Sequence, residues 1–197
     1  MPDATDDPAY AARLVKLQGA RWKRYVPNPY RYFLRHLKLG RTLEVGCGVG
    51  RILGYLAPDA VGVDTNSTAV THCRSLGFEA YSPAELEARN PAPFDSLVLA
   101  HVLEHLSRDG AVELLRSYLH YLRPNGRVVI ICPQEKGYRS DPTHVQWHDL
   151  DALRAMACQL NLEPLQARSY PLPRFAGTWF VYNEFVLVAS ISGAVPI

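Results

Sequence analysis

At 197 residues the chain is sized for one hydrophobic core, since cores commonly run to roughly 100–200 residues before chains split. Hydrophobic residues at 48% and charged residues at 20% exclude disordered and fibrous classes, and a net charge of +2 does not by itself mark a nucleic-acid-binding protein. Cys47, Cys73, Cys132 and Cys158 form no C-x-x-C pair, which excludes a zinc ribbon and predicts reduced thiols in a cytoplasmic protein.

Asp3, Asp6 and Asp7 stand where a secretory signal would carry a basic region before an apolar run. Behind them the charge turns one-sided: Arg13, Lys16, Arg21, Lys23, Arg24, Arg31, Arg35, Lys38 and Arg41 meet no acid between Asp7 and Glu44. Residues 1–40 are therefore expected to form a helical basic cap, set before a domain covering 41–197. Such a run either solvates a helix face or draws an acidic or phosphorylated ligand.

From residue 41 short apolar runs alternate with helical patterns, the signature of βα units and a parallel sheet. The first strand, 41–45, runs into Gly46-Cys-Gly-Val-Gly50, and a helix over 51–57 should end at Pro58. A second strand, 60–64, precedes a helix capped by Ser67 and stopped by Gly77; a third strand covers 78–81. Ser82-Pro83 should start a short helix, with Ser as N-cap and Pro in the first turn. A buried strand over 93–100 leads to a helix over 109–122, a turn at Pro124-Asn-Gly126 and a fifth strand over 127–132. After a polar loop and a helix over about 148–160, segments 163–170 and 179–189 should pair antiparallel, their connection being too short for a crossover helix. The apolar stretch 179–197 is broken by Asn183 and Glu184 and reads as a strand, so no membrane span is expected.

Gly46, Gly48 and Gly50 between a strand and a helix let the backbone approach a ligand and let amides at the helix start face it, as nucleoside cofactors require. Asp64, at the carboxyl end of the next strand, can accept both hydroxyls of a ribose. The spacing is G-x-G-x-G with Glu44 ahead of it, unlike the G-x-G-x-x-G of NAD proteins.

Leu43-Glu-Val-Gly-Cys-Gly-Val-Gly50 resembles motif I of the class I, Rossmann-like S-adenosylmethionine-dependent methyltransferases. The resemblance extends through 94–106 and 122–130, with Asn125 where that family usually has glycine. It implies an α/β fold: a seven-stranded, mostly parallel sheet with its last strand antiparallel and helices on both faces. It also implies S-adenosylmethionine as cofactor. Glu44, Gly46, Cys47, Gly48 and Gly50 would cradle its methionine part, and Asp64 with Thr65 its ribose. The acid that often follows the third strand in that family is missing, leaving Tyr81 and the Ala84 amide as adenine contacts. Ala100 and His101 would complete the cofactor side.

His101, Glu104 and His105 follow the fourth strand at a spacing that shares one face if the segment is helical. His144 and His148, in the loop after the fifth strand, can reach the same rim, so that five groups would converge. Methyl transfer to a hydroxyl needs a base, and His101, His105 and His144 are the catalytic candidates, His101 the best placed. Structural hydrogen bonding is the competing reading. The principal expectation is no metal; as an alternative, His101, Glu104, His105 and His144 resemble the metal-binding motif of small-RNA 2′-O-methyltransferases, with His101 where a Glu belongs. Asp141-Pro-Thr-His144, with Tyr138, Arg139 and Trp147, reads as an acceptor-side loop or as a plain surface connection.

Together these point to a methyltransferase acting on an O or N atom of a small-molecule acceptor, acidic or phosphorylated. An RNA methyltransferase using Trp22, Tyr25 and Tyr30 for stacking and a non-catalytic cofactor-binding scaffold stay open as alternatives.

Overall fold

The computed structural model describes residues 29–191; the expected basic cap falls outside them up to residue 28, as do residues 192–197. One compact unit ends at Ala92 and a second begins at Pro93.

In the first unit, helix α1 (Pro29–His36) buries Tyr30, Phe33 and Leu34, whose spacing puts them on one face. Strands β1 (Thr42–Val45), β2 (Val61–Val63) and β3 (Glu79–Tyr81) are short and pair in parallel, Leu43 with Val61 and Val61 with Glu79. Helix α2 (Ser67–Ser75) lies between β2 and β3 in sequence, and α3 (Pro83–Arg89) follows β3. Cys47, Val70, Cys73 and Ala80 pack as one buried cluster with Phe78 against it. Gly62 is required at the middle of β2: a β-carbon there would lie 2.7 Å from the Cys47 sulfur. The missing side chain lets the loop after β1 fold down onto the neighbouring strand.

In the second unit, β4 (Phe94–Ala100) and β5 (Leu122–Pro133) pair in parallel from Ser96–Arg127 to Ala100–Ile131. Helix α4 (Arg108–Leu119) joins them, burying Ala111, Val112, Leu115 and Tyr118. A four-residue helix, α5 (Glu135–Tyr138), and α6 (Leu150–Gln159) precede β6 (Leu162–Tyr170) and β7 (Glu184–Ile191). β7 lies between β5 and β6 and runs antiparallel to both. Val186 and Leu187 are wholly buried, as expected of a strand covered on both faces. The seven strands follow the order β3-β2-β1-β4-β5-β7-β6, a mixed, mostly parallel sheet.

Four local expectations are corrected. The helix expected over 51–57 is only a 3-10 turn at Leu53–Tyr55, because Gly50, Gly54 and Pro58 crowd a segment too short to bear their helix penalties. The cap of α2 is Asn66, not Ser67: the Asn66 side-chain oxygen accepts from the Thr68 and Ala69 amides at 3.0 and 3.2 Å. The turn expected at 124–126 is an irregularity at the start of β5, with Asn125 at φ 61, absorbed by a register shift opposite Phe94–Ser96. β7 begins at Glu184 rather than at 179, because Asn183 is drawn into a buried network. Its Nδ2 donates to Gln134 Oε1 and Ser169 Oγ, and its Oδ1 accepts from the Leu172 amide at 2.9 Å. The capping box at Ser82 and Glu85, with Pro83 behind the cap, forms as expected.

Asn66→Ala should destabilise the protein by about 1 kcal/mol, the ordinary worth of an N-cap, whereas Ser67→Ala should change little. Urea unfolding of the two variants beside the parent checks the assignment.

Candidate functional site

In the first unit the loop after β1 is built on left-handed backbone: Gly46, Gly48 and Gly50 have φ of 72, 50 and 79, values that side-chain-bearing residues rarely adopt. The Val63 carbonyl accepts from the Gly46 and Cys47 amides at 2.8 and 3.1 Å, and the Cys47 carbonyl accepts from the Gly50 amide at 2.9 Å. The Gly48 amide donates to Asp64 Oδ2 at 2.7 Å, and the Asn66 amide donates to Asp64 Oδ1 at 2.8 Å. These four loop amides are therefore engaged within the protein. What the loop offers a ligand is close approach of its backbone, not the row of amide donors expected from the glycine pattern.

Asp64 stands at the end of β2 and half-buried. Each carboxylate oxygen holds one of these amides. Glu44 lies within β1 and is 2% exposed. Its Oε2 is buried with no hydrogen-bond partner among the described residues. Burial, followed by the neighbouring Cys73, pushes its carboxyl well above the ordinary value, against the pull of Arg51. The Cys47 thiol is pushed up too, by its bond to Cys73, burial and Glu44.

Of the expected adenine contacts, Tyr81 ends β3; its hydroxyl donates to Glu79 at 2.8 Å and the Arg89 guanidinium lies 4.5 Å from its ring centroid. Ala84 is exposed in the first turn of α3, where backbone N–H groups have no intrahelical partner. Thr65 is exposed beside Asp64.

In the second unit Ala100 closes β4, and the His101 amide donates to the Ile131 carbonyl at 2.9 Å. His101 takes a left-handed conformation, φ 61. Its Nδ1 lies 3.3 Å from Glu104 Oε1 and its Nε2 2.9 Å from Glu184 Oε1. Burial disfavours the charged ring, but Glu184 and Glu104 overcome it, and the His101 pKa is pushed up to about 10. The imidazole expected to accept a proton is thus held as an imidazolium between two carboxylates. Burial works against the charge of Glu104 as well, yet His101 holds that carboxyl below its ordinary value.

Residues Leu103–His105 form a 3-10 turn. The loop after β5 closes on it through the Val145 and Gln146 amides, which donate to the Glu104 carbonyl at 2.7 and 3.1 Å. That loop brings His144 to 4.0 Å from Glu104 Oε1 and sets its ring 4.9 Å from that of His105, centroid to centroid. His105 Nδ1 meets the Thr143 carbonyl at 3.2 Å, and His144 Nδ1 donates to the Tyr138 carbonyl at 2.7 Å. His148 does not join them. It is 1% exposed, its Nε2 donates to the Leu103 carbonyl at 3.2 Å, and burial lowers its pKa.

Glu184 is the group sequence reasoning passed over. It stood in the sequence as one of two polar residues breaking an apolar strand, and it is 2% exposed. A charge inside a strand buried on both faces is itself the signal, because such a charge needs a partner.

Residues 43–128 match the methyltransferase-domain family, and the seven-stranded mixed sheet is the fold of class I S-adenosylmethionine-dependent methyltransferase structures. Among curated proteins, the chain is 30% identical over 163 residues to the ubiquinone biosynthesis O-methyltransferase of Caulobacter sp. (strain K31), covering 66% of this chain and 64% of that protein. It is 29% identical over 118 residues to the protein of that name from Xylella fastidiosa (strain M23), covering 52% and 47%. The chain thus spans less than two thirds of these relatives' length. Among solved structures, a S-adenosylmethionine-dependent methyltransferase from Archaeoglobus fulgidus superposes with a TM-score of 0.69 at 17% identity, covering 93% of this chain and all of that one (100%). The N-methyltransferase NodS of Bradyrhizobium japonicum WM9, in complex with S-adenosyl-L-homocysteine, gives 0.63 at 18% identity, covering 94% and 99%. These structural likenesses establish the fold. No helix among the described residues is long and apolar enough to cross a membrane.

The raised Glu44 pKa has a signed consequence. The folded chain holds this proton to higher pH than the unfolded chain does, so the associated stability is complete below the ordinary value of 4.5 and is lost as pH rises through the folded pKa. Glu44→Gln lacks that loss. In calorimetric scans without cofactor its melting temperature should gain on the parent's as pH rises from 4.5 and then level off; a pH-independent gap would show an unperturbed Glu44.

Proposed function

We propose that the chain transfers the methyl group of S-adenosylmethionine to an oxygen or nitrogen atom of a small-molecule acceptor in the cytoplasm. The observation that carries the cofactor half is Asp64, whose carboxylate is fixed just past the end of β2 by the Gly48 and Asn66 amides. A ribose diol needs two such acceptors side by side. The unpartnered Glu44 Oε2 supports the same reading, since a buried carboxylate oxygen suits an ammonium such as that of the methionine part.

In this reading Glu44, Gly46, Cys47, Gly48 and Gly50 line the methionine part, and Asp64 with Thr65 holds the ribose. Tyr81 and the Ala84 amide meet the adenine, and Ala100 and His101 border the cofactor. Bound, S-adenosylmethionine supplies an electrophilic methyl group on a sulfonium. The chain's part is to align the acceptor atom and handle its proton. His101, His105 and His144 face the acceptor. His101 serves as a charged donor rather than a base, and His144, whose Nδ1 is hydrogen-bonded to Tyr138, presents Nε2 as the proton-accepting atom. An oxygen acceptor is consistent with the curated relatives, both named as O-methyltransferases. The basic residues before Glu44 suit an acidic or phosphorylated acceptor, with residues 1–40 as its cap.

Calorimetric titration of S-adenosylhomocysteine should show binding on the order of −8 kcal/mol, the micromolar range. Asp64→Ala should weaken it about 30-fold, the equivalent of one hydrogen bond to a charged group at ~2 kcal/mol. NAD should give no heat. No S-adenosylhomocysteine binding by the folded parent would overturn the reading.

A further inference from the structure

We infer that Cys47 and Cys73 are a reversible modification site, at which a peroxide joins the two thiols in a disulfide and so loosens the cofactor loop. The effect on the cofactor rests on the function proposed above; the thiol pair itself does not.

Both sulfurs converge on one carbonyl. The Cys73 thiol, in the last turn of α2, lies 3.2 Å from the Gly48 carbonyl oxygen, and the Cys47 thiol lies 3.8 Å from it. Cys47 also donates to the Cys73 sulfur, and the two side chains pack in one buried cluster. Glycine backs each sulfur: a β-carbon at Gly62 would lie 2.7 Å from Cys47 Sγ, and one at Gly50 would lie 3.1 Å from Cys73 Sγ. The missing side chains leave room for the sulfurs to meet.

The hydrogen bond from Cys47 outweighs burial and the nearby Asp64, and it holds the Cys73 thiol below its ordinary value. Cys73 is therefore the thiol that ionises and attacks. Its sulfur takes one oxygen of hydrogen peroxide as the O–O bond breaks, and the departing hydroxide leaves as water with the thiol's proton. Cys47 then attacks the Cys73 sulfenic acid: the S–S bond forms, the S–O bond breaks, and a second water carries off the Cys47 proton. The thiols lose the two electrons that the peroxide gains. Both sulfurs are buried, so only a small oxidant reaches them, and an added thiol restores the pair by exchange.

The disulfide acts on Gly48 from two sides. Its carbonyl loses the Cys73 donor, and its amide, next to Cys47 in the chain, is drawn away from Asp64 Oδ2. Asp64 is the acid assigned to the ribose, so the oxidised loop holds the cofactor less tightly.

The full chain, reduced and freed of reductant, is treated with hydrogen peroxide, quenched with catalase, alkylated and digested for mass spectrometry. A peptide pair joined through Cys47 and Cys73 should appear and should vanish with dithiothreitol. Calorimetry should show S-adenosylhomocysteine binding weakened at least ~10-fold by oxidation, the worth of one hydrogen bond to a charged group, and recovered with dithiothreitol. Cys73→Ser keeps a hydroxyl for the Gly48 carbonyl; it should bind within about 3-fold of the reduced parent and ignore peroxide. Cys158→Ala, which lacks the exposed thiol, should respond as the parent does. Circular dichroism establishes that each sample is folded, and the parent's own peptide and affinities decide if Cys73→Ser is not. Absence of the joined peptide overturns the site, and so does undiminished affinity in protein that carries it. No binding by the reduced, folded parent defeats the cofactor reading instead, and the joined peptide alone then decides the thiol pair.

Discussion

The first unit depends on one carboxylate. Asp64 ends β2, receives the Gly48 amide from the loop after β1 and the Asn66 amide from the start of α2, and thereby ties three segments to one point. Asn66 extends the tie, since its own side chain caps α2. The loop can meet Asp64 only because its glycines take left-handed backbone and because Gly62 leaves room for Cys47. An acid that only bound a ligand could be replaced at a cost in affinity. Asp64 sets the loop conformation as well, so replacing it disturbs local folding and not just a single contact.

The second unit meets a different requirement through topology. β7 runs antiparallel to β5, so its first residue, Glu184, pairs with the last residue of that strand, Pro133. A parallel strand would bring its last residue to that edge. The edge is where β4 also ends, with the His101 amide bonded to the Ile131 carbonyl. One reversed strand therefore delivers a carboxylate to the carboxyl rim of a parallel pair, the usual place for ligands in such sheets. His101, between Glu184 and Glu104, is the consequence, and its left-handed backbone is overdetermined by contacts on both ring nitrogens.

Most of the fold was legible because its signals are local. Ser82-Pro83 with Glu85 announces a capping box within four residues, and the alternation of apolar runs with helical spacing fixes strand count and class. The Gly46–Gly50 loop and Asp64 were legible as a pair because strand and loop adjoin in sequence. What escaped depended on competition or on distance. Asn66 and Ser67 are both good caps, and only the backbone geometry chooses Asn66. The missing helix after Gly50 reflects a sum of small penalties that no single residue advertises. Glu184 acquires meaning only beside His101, and sequence separation hides that pairing.

His148 shows why residue type and loop position do not suffice for a site. It shares the loop and the chemistry of His144, yet it is buried and its Nε2 is bonded to the Leu103 carbonyl. That bond fixes the start of the 3-10 turn that presents Glu104 and His105. His144 gives a ring nitrogen to a carbonyl too, but its other nitrogen faces the buried carboxylate of Glu104. The same donor bond therefore holds a scaffold in one case and aims a lone pair in the other, and what decides is the group facing the second nitrogen.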